Sequence, residues 1–178
     1  MDQDLIEAVR TDHAEIKALM EQVDHATADR EDAFRRLVTK LATHETAEEE
    51  VVHPLARKGP GGDALVEARL KEEKGGKKAL AKLEKMGVDA PAFTAEFARL
   101  RQEVLAHAEH EEQEEHPRLR QTVDADRLRS AGELFRKAER VAPTHAHAHS
   151  PESATGNILA GTFVAVADRV RDALRSDH

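Results

Sequence analysis

The sequence predicts an all-α fold: an up-down antiparallel four-helix bundle with an additional C-terminal helix and tail. Three observations lead to this prediction. Leu, Ala, Glu, Lys and Arg, which favour helices, are abundant, whereas β-branched residues are sparse. Apolar residues recur in steps of three and four along four long segments, as on one face of an α-helix. Short connections join these segments, so consecutive helices should be antiparallel neighbours.

The first two helices are predicted over residues 3–24 and 29–56. The apolar stripe of the first helix is interrupted by His13, about midway along it. The stripe of the second helix contains His44 and Glu48, and a Gly-Pro-Gly-Gly run ends that helix. Both helices therefore turn titratable side chains toward the face that should be buried.

The next two helices repeat this arrangement over residues 63–86 and 90–119. Glu73 interrupts the stripe of the third helix, at a depth similar to that of His13 in the first. His107 and Glu111 continue the stripe of the fourth. Each of the four predicted helices thus places imidazole or carboxylate groups on its inner face.

A shorter fifth helix is predicted over residues 125–141, and a further short amphipathic helix over 158–174. We therefore divide the chain into a bundle, residues 1–120, and an extension, residues 121–178, that packs on the bundle. Between the last two helices lie alternating histidines that suggest either a weak surface metal site, an ordered strap or a mobile tail: His145, His147 and His149.

Composition excludes several classes of protein. The net charge is −8 and aromatic residues make up 3%, which argues against binding of nucleic acid. No apolar run approaches the ~20 residues of a membrane span, and cysteine is absent, which excludes disulfides and thiolate ligands. The N-terminus lacks the basic and apolar regions of a signal peptide, so a cytoplasmic location is expected.

An internal repeat relates the second helix to the fourth. His44 and Glu48 recur as His107 and Glu111 at the same offset of sixty-three residues, within "HETAEEEVVHP" and "HAEHEEQEEHP". Two copies of one helical hairpin are therefore expected to face each other, with a site near their pseudo-twofold axis. In each pair the residues are four apart, so both side chains lie on one face of the helix.

Each polar residue taken alone has an ordinary explanation. A lone histidine on an apolar stripe is often a hydrogen-bonded core residue, a His-x-x-x-Glu pair often lies at the surface, and glutamate runs are often solvated. The conjunction of all of them favours a metal site, because carboxylates buried together without a cation are costly or take up protons. Oxygen and nitrogen ligands without thiolate indicate iron or manganese rather than structural zinc.

Regular α-helical geometry predicts where the neighbouring residues point. His53 and His116 follow the inner histidines by nine residues, which places them on the opposite side, near the helix C-termini. Glu112 should point outward, whereas Glu114 returns to the inner face, where its carboxylate could accept a hydrogen bond and orient a ligand. His110 should lie at the rim, in the second shell or in solvent.

The motifs together resemble the hemerythrin-like HHE cation-binding domain over residues 1–120. The matching pieces are "TDHAEI", "HETAEEEVVHP", "EEKGGKKALAKLEKM" and "HAEHEEQEEHP", and the tail is similar to that of bacterial, especially actinobacterial, members. The resemblance implies two non-heme iron ions with an oxo or hydroxo bridge, for which manganese or zinc could substitute. It implies bridging roles for Glu48 and Glu111 within this ligand set: His13, His44, Glu48, His107 and Glu111.

The third helix departs from the family's oxygen carriers, which have two histidines there. Alignment places Glu73 at the first of these positions and Lys77 at the second. Glu73 is included as a ligand, as is Glu45, which binds iron in some members but lies about 100° around the helix from His44. The carboxylate-rich site implied in this way suits oxidation, peroxide chemistry or iron sensing better than reversible oxygen carriage.

Three functional hypotheses follow. The first is a redox protein that binds or reacts with dioxygen, peroxide or nitric oxide, with peroxide disproportionation and an oxidative-stress role favoured. The second is a non-catalytic module that senses or carries oxygen, nitric oxide or iron, or stores iron. The third is a structural helical protein with adventitious metal. A monomer or weak homodimer is expected, with no nucleic-acid or membrane partner.

Overall fold

The computed structural model describes residues 3–26 and 28–142, and all regular structure in these residues is helical. Helix α1 spans Leu5–His25. It begins with a capping box, in which Asp4 accepts from the Glu7 backbone N–H and Glu7 accepts from the Asp4 N–H. These contacts satisfy N–H groups that the first helical turn leaves without partners.

The described residues form five helical rods, as the sequence predicts. The second rod and the fourth are each composite, with a π-helical segment between two α-helices. The second contains α2 (Arg30–Ala47), the π-helical segment Glu48–Val52 and α3 (His53–Ala56). The third rod is α4 (Gly62–Met86). The fourth contains α5 (Phe93–His110), the π-helical segment Glu111–Glu115 and α6 (His116–Thr122), and the fifth is α7 (Ala125–Val141).

The π-helical segments lie just before the two His-Pro dipeptides. The backbone N–H of His53 donates to Glu48 O and that of His116 donates to Glu111 O, each five residues back instead of four. Proline has no N–H to donate, and its ring clashes with the carbonyl four residues earlier in a regular helix. The wider turns before Pro54 and Pro117 accommodate these rings while the rods continue.

The apolar core consists of two clusters separated by a polar layer. One cluster surrounds Leu5, Leu55 and Phe135, and the other surrounds Met20, Leu37 and Phe97. On the four bundle rods, His13, His44, Glu73 and His107 each lie between the positions that contribute to the two clusters. The polar layer is therefore enclosed by apolar side chains above and below.

Helix α7 lies outside the four bundle rods and packs against α1, α2 and the first π-helical segment. Its Leu128, Ala131 and Phe135 are fully or almost fully buried in the same cluster as Leu5. No helix in residues 3–26 or 28–142 is long and apolar enough to cross a membrane. The predicted helix over 158–174 and the alternating histidines His145, His147 and His149 lie outside the described residues.

The all-α prediction is confirmed, and most helix ends lie within three residues of the predicted ones. The prediction of uninterrupted α-helices over 29–56 and 90–119 is wrong in one respect, because both contain a π-helical segment. This difference changes which residues face the polar layer beyond Glu48 and Glu111.

Candidate metal centre

Side chains from all four bundle rods meet in the polar layer. Two groups of residues have donor atoms that all lie within 4.8 Å of one another. The larger group consists of His13, His44, Glu48 and Glu111. The smaller group consists of Glu48, Glu73 and His107. Because Glu48 belongs to both groups, the two candidate positions are adjacent and share a carboxylate.

Each of the three inner histidines has a carboxylate at its Nδ1 atom. His13 Nδ1 lies 2.9 Å from Glu112, His44 Nδ1 lies 3.3 Å from Asp12, and His107 Nδ1 lies 3.0 Å from Glu72. An ionised carboxylate can only accept a hydrogen bond, so the Nδ1–H group donates. In each ring this contact turns Nε2 toward the centre, which is the arrangement found around metal-binding histidines.

The two inner carboxylates each face histidines on both sides. Glu48 Oε1 lies 3.2 Å from His44 Nε2, and Glu48 Oε2 lies 4.0 Å from His107 Nε2. Glu111 Oε2 lies 3.1 Å from His13 Nε2, and Glu111 Oε1 lies 3.4 Å from His107 Nε2. The oxygens of both carboxylates are thus divided between two groups of histidines.

Many donor atoms of the centre are buried without a hydrogen-bond partner in the described residues. They are His13 Nε2, His107 Nε2, Glu73 Oε2 and both carboxylate oxygens of Glu48, Glu111 and Glu115. Burying such groups without hydrogen bonds costs free energy, because they lose their contacts with water. Cations in the layer would satisfy these oxygen and nitrogen atoms together, so the residues present fit a metal centre.

Burial and neighbouring carboxylates strongly shift the pKa values of the histidines in the polar layer. Burial alone would lower the pKa of His107, but the Glu111 and Glu48 carboxylates outweigh it and raise that pKa to about 11. Burial likewise opposes protonation of His44, yet Glu48 and Asp12 raise its pKa to about 9. The carboxylates therefore attract positive charge strongly enough to overcome desolvation, and bound metal would supply the same compensation.

Further buried residues adjoin both groups of candidate ligands. His53 Nε2 lies 2.6 Å from Glu73 Oε1, and His53 Nδ1 lies 3.7 Å from Glu115 Oε1. His116 stacks at 6.1 Å on the His13 ring, and neither of its ring nitrogens has a hydrogen-bond partner in the described part of the chain. The centre therefore contains two more imidazoles and one more carboxylate than the motif residues alone.

The positions predicted for His53, His116 and Glu114 are wrong, and the π-helical segments explain why. A π-helical turn takes one extra residue, which rotates every later side chain by about 100° relative to a regular α-helix. His53 and His116 are consequently turned from the outer side into the layer, where both are buried. The inner position predicted for Glu114 is occupied by Glu115, while Glu114 is exposed and pairs with Arg69 at 2.9 Å.

The outward orientation predicted for Glu112 is also wrong, since its carboxylate reaches the His13 ring. His110 is half exposed and its Nδ1 lies 2.9 Å from Glu72, the carboxylate that also holds His107, and a supporting role for His110 stays a prediction. The motif pattern does not indicate a role for Asp12, although this residue directly precedes His13. The sequence signal for Asp12 is a repeat between the first and third rods. An offset of sixty residues aligns Asp12-His13 of α1 with Glu72-Glu73 of α4.

Glu45 lies outside both groups of candidate ligands. It is buried, and its carboxylate approaches Lys77 Nζ at 3.5 Å. Burial raises its pKa to about 8 in spite of Lys77. Lys77 also pairs with Glu49 and lies 3.7 Å from Glu73, so it is an ion-paired ammonium group. A metal-binding role for Glu45 stays a prediction.

A small cavity lined by residues of α1, α2, α4 and α5 adjoins the centre. Its volume is about 30 Å³, which suits a molecule of the size of water or dioxygen. The three inner histidines, Glu73 and Gly76 are among the residues that line it. Gly76 has no side chain, and an added Cβ would lie 3.9 Å from Glu45 Oε1, which is ordinary van der Waals contact.

Comparisons with known proteins agree with this geometry. The family model of the hemerythrin HHE cation-binding domain matches residues 4–119. An uncharacterised hemerythrin-like protein of Schizosaccharomyces pombe is 27% identical over 171 residues, which cover 93% of this chain and 84% of the relative. The crystal structure of a hemerythrin HHE cation-binding domain-containing protein of Mycobacterium kansasii has a similar fold, with a TM-score of 0.70, 20% identity, and coverage of 78% of this chain and 86% of that one.

Proposed function

The chain belongs to the hemerythrin HHE cation-binding domain family, and we propose that it is a non-heme di-iron protein that binds or reacts with dioxygen, peroxide or nitric oxide. Peroxide disproportionation is the favoured reaction. The observation that carries the proposal is the division of the Glu48 and Glu111 oxygens between two groups of histidines. Such an arrangement in a helical bundle is typical of carboxylate-bridged metal pairs.

The residues that would hold the metal ions divide into two sides. His13 and His44 would bind on one side and His107 and Glu73 on the other, with Glu48 and Glu111 between them. These oxygen and nitrogen donors suit iron, and manganese or zinc could substitute for it. Iron bound there supplies one-electron redox chemistry and a position at which a small oxidant can bind.

The protein around the centre controls access and protons. The apolar clusters on both sides exclude bulk water, and the small cavity at Gly76 admits only small molecules. His53 and His116 lie beside the centre with ring nitrogens that can carry protons released or consumed at a bound small molecule. These properties favour peroxide or dioxygen over a large organic substrate.

Reversible oxygen carriage is less well supported than turnover. At the position where oxygen carriers have a second histidine in this helix, Lys77 is engaged by Glu45, Glu49 and Glu73 and offers no free nitrogen lone pair. The α4 side of the centre therefore has carboxylate donors, which favour the ferric state. A non-catalytic sensor is the second candidate. It is favoured by the contact between Arg136 of α7 and Asp12, the carboxylate that lies against His44.

The decisive experiment loads the protein with ferrous iron, measures iron per chain and the absorption spectrum, and follows oxygen release on addition of peroxide. We expect about two iron ions per chain and sustained oxygen evolution that is lost on Glu48→Ala. A spectrum that changes reversibly with dioxygen, without oxygen evolution from peroxide, would favour the carrier or sensor. Failure to retain iron would refute the di-iron function altogether.

A further inference from the structure

Helix α7 reaches the polar layer although it lies beyond residues 4–119, which the family model matches. We propose that α7 is part of the metal centre, in that Arg136 positions the candidate ligand His44 through Asp12. Docking of α7 and metal binding on the His13–His44 side would then stabilise each other. This inference rests on the proposed metal-binding function and assigns an additional positioning residue to it.

A continuous series of polar contacts joins Arg136 to His44. Arg136 Nη1 donates to Asp12 Oδ1 at 2.6 Å, and Asp12 Oδ2 lies 3.3 Å from His44 Nδ1. Lys40 Nζ lies 2.9 Å from the same Oδ1 atom. Asp12 has no exposed surface, so its charge depends on these neighbours rather than on water. Its carboxylate can hold the imidazole in one orientation because Arg136 and Lys40 hold the carboxylate.

The same turn of α7 is anchored at several points. Glu139 lies 2.8 Å from both Lys40 and Arg136, and Arg136 Nη2 donates to Ala8 O at 3.1 Å. Phe135 is fully buried, and its ring meets the His44 ring edge-on at 6.0 Å. Arg136 thus acts from a rigid position, and α7 restrains His44 both through Asp12 and by direct packing.

The backbone of α7 also touches the start of α1. A Cβ atom added to Gly132 would lie 2.5 Å from Gln3 O and 2.9 Å from Asp4 C, which is too close for any side chain. Glycine at this position therefore allows the close approach that brings Arg136 within reach of Asp12. Gly132→Ala should displace α7 without removing a charged group.

The support of His107 on the other side of the centre is built differently. Glu72 takes the place of Asp12, but its side chain is 31% exposed and receives Arg69 from its own helix at 2.9 Å. Water can partly replace a lost partner at such a position, whereas it cannot reach Asp12. Loss of Arg136 should consequently affect one metal position and leave the other unchanged.

The test uses zinc, which requires no redox chemistry, and follows its binding by competition with a chromophoric chelator. We expect two zinc ions on the wild-type chain and roughly tenfold or greater weakening of one of them in Arg136→Met, with the other unchanged. The control is Arg129→Met on the same helix, which removes an exposed arginine paired with Asp126 and should behave as wild type. Gly132→Ala should reproduce the selective loss.

Hydrogen exchange of the α7 amides provides a second measurement that needs no substitution. Because coupling between two sites is reciprocal, zinc should slow exchange in α7 of the wild-type protein and should slow it less in Arg136→Met. If wild-type protein binds no zinc, the metal-binding function itself fails. If it binds two ions but Arg136→Met binds both equally well, or if zinc leaves α7 exchange unchanged, the role of α7 is refuted.

Discussion

The two copies of the helical hairpin, α1 through α3 and α4 through α6, place their site residues in the same order along the chain. In each copy, a histidine lies four residues before a glutamate that begins a π-helical segment, and a His-Pro dipeptide follows that segment. The pairs His44–Glu48 and His107–Glu111 lie on opposite sides of the polar layer and face each other. The repeat therefore explains why two such carboxylates face one polar layer, as the proposed bridging of two metal positions requires.

The copies differ in what α1 and α4 contribute. At equivalent positions, α1 provides Asp12 and His13 and α4 provides Glu72 and Glu73. One candidate position is thus surrounded by more imidazole and the other by more carboxylate. The first is also covered by α7, which holds Asp12 through Arg136. The internal repeat accounts for the pair of positions, and the differences between α1 and α4 make them unequal.

Glu48→Ala should have the largest effect, because Glu48 is shared by both groups of donors. We expect loss of both metal ions, with affinity reduced by more than the roughly 10–100-fold typical of partners outside the ligand shell. Metal per chain, measured by elemental analysis after gel filtration, checks this. The exposed Glu109→Ala is the control and should retain full loading. Retention of both ions by Glu48→Ala would rule out its bridging role.

Substituting the residues that differ between the two copies should weaken one metal position at a time. His13→Ala should weaken the metal beside His44, and Glu73→Ala should weaken the metal beside His107, because each belongs to only one group. Native mass spectrometry at limiting metal should show mainly singly loaded protein in both cases. His25→Ala, at the exposed end of α1, should load as wild type. Doubly loaded variants would show that the positions are not divided in this way.

The equivalent histidines His53 and His116 should differ in their effect on stability. His53→Phe leaves Glu73 and Glu115 buried without their imidazole partner, so the metal-free protein should lose about 1–3 kcal/mol of unfolding free energy. His116 has no hydrogen-bond partner to lose in the described residues, so His116→Phe should stay within about 1 kcal/mol of wild type. Urea unfolding of metal-free protein measures both changes.

Equal destabilisation by these two substitutions would contradict the difference between the copies. The comparison has its own internal control, because both variants exchange a buried imidazole for the same larger apolar ring. His53→Gln, which keeps a hydrogen-bonding group beside Glu73, should recover part of the stability lost in His53→Phe.

The smallest effect on stability is expected from a glycine substitution in α4. This helix has Gly75 and Gly76 where α1 has Glu15 and Ile16. An added Cβ at Gly75 would meet no other atom within 4 Å. Gly75→Ala should therefore stabilise the protein by about 1 kcal/mol through the lower conformational entropy of the unfolded chain and better helix propensity. Thermal unfolding checks the sign, and unchanged metal loading shows that the centre is not affected. A destabilised variant would indicate that α4 needs flexibility there.

Much of the fold and of the inner site was predictable because it follows from local periodicity. A step of four residues places His44 and Glu48 on one face, whatever surrounds them, and the offset of sixty-three indicates which second pair they meet. The all-α fold followed from the composition and apolar stripes in the same way. The location of His13 and Glu73 on inner faces could be read from single interruptions of those stripes.

The sequence-based prediction is wrong for the residues just beyond the motifs, because the number of residues per helical turn changes there. Pro54 and Pro117 signal a disturbed helix, but a proline can kink a helix, end it or widen a turn, and the sequence does not say which. Only the π-helical segments, with hydrogen bonds to the fifth preceding carbonyl, turn Glu115 inward and Glu114 outward.

By itself the sequence determined the helices, their pairing as two related hairpins and the inner histidines and glutamates, since these depend on contacts within a few residues. The tertiary structure decided the rotation of the chain after Glu48 and Glu111. It also decided which carboxylate supports each histidine. Asp12 and His44 are 32 residues apart and Arg136 and Asp12 are 124 apart. Their contacts depend on how α1, α2 and α7 pack, which no local pattern encodes.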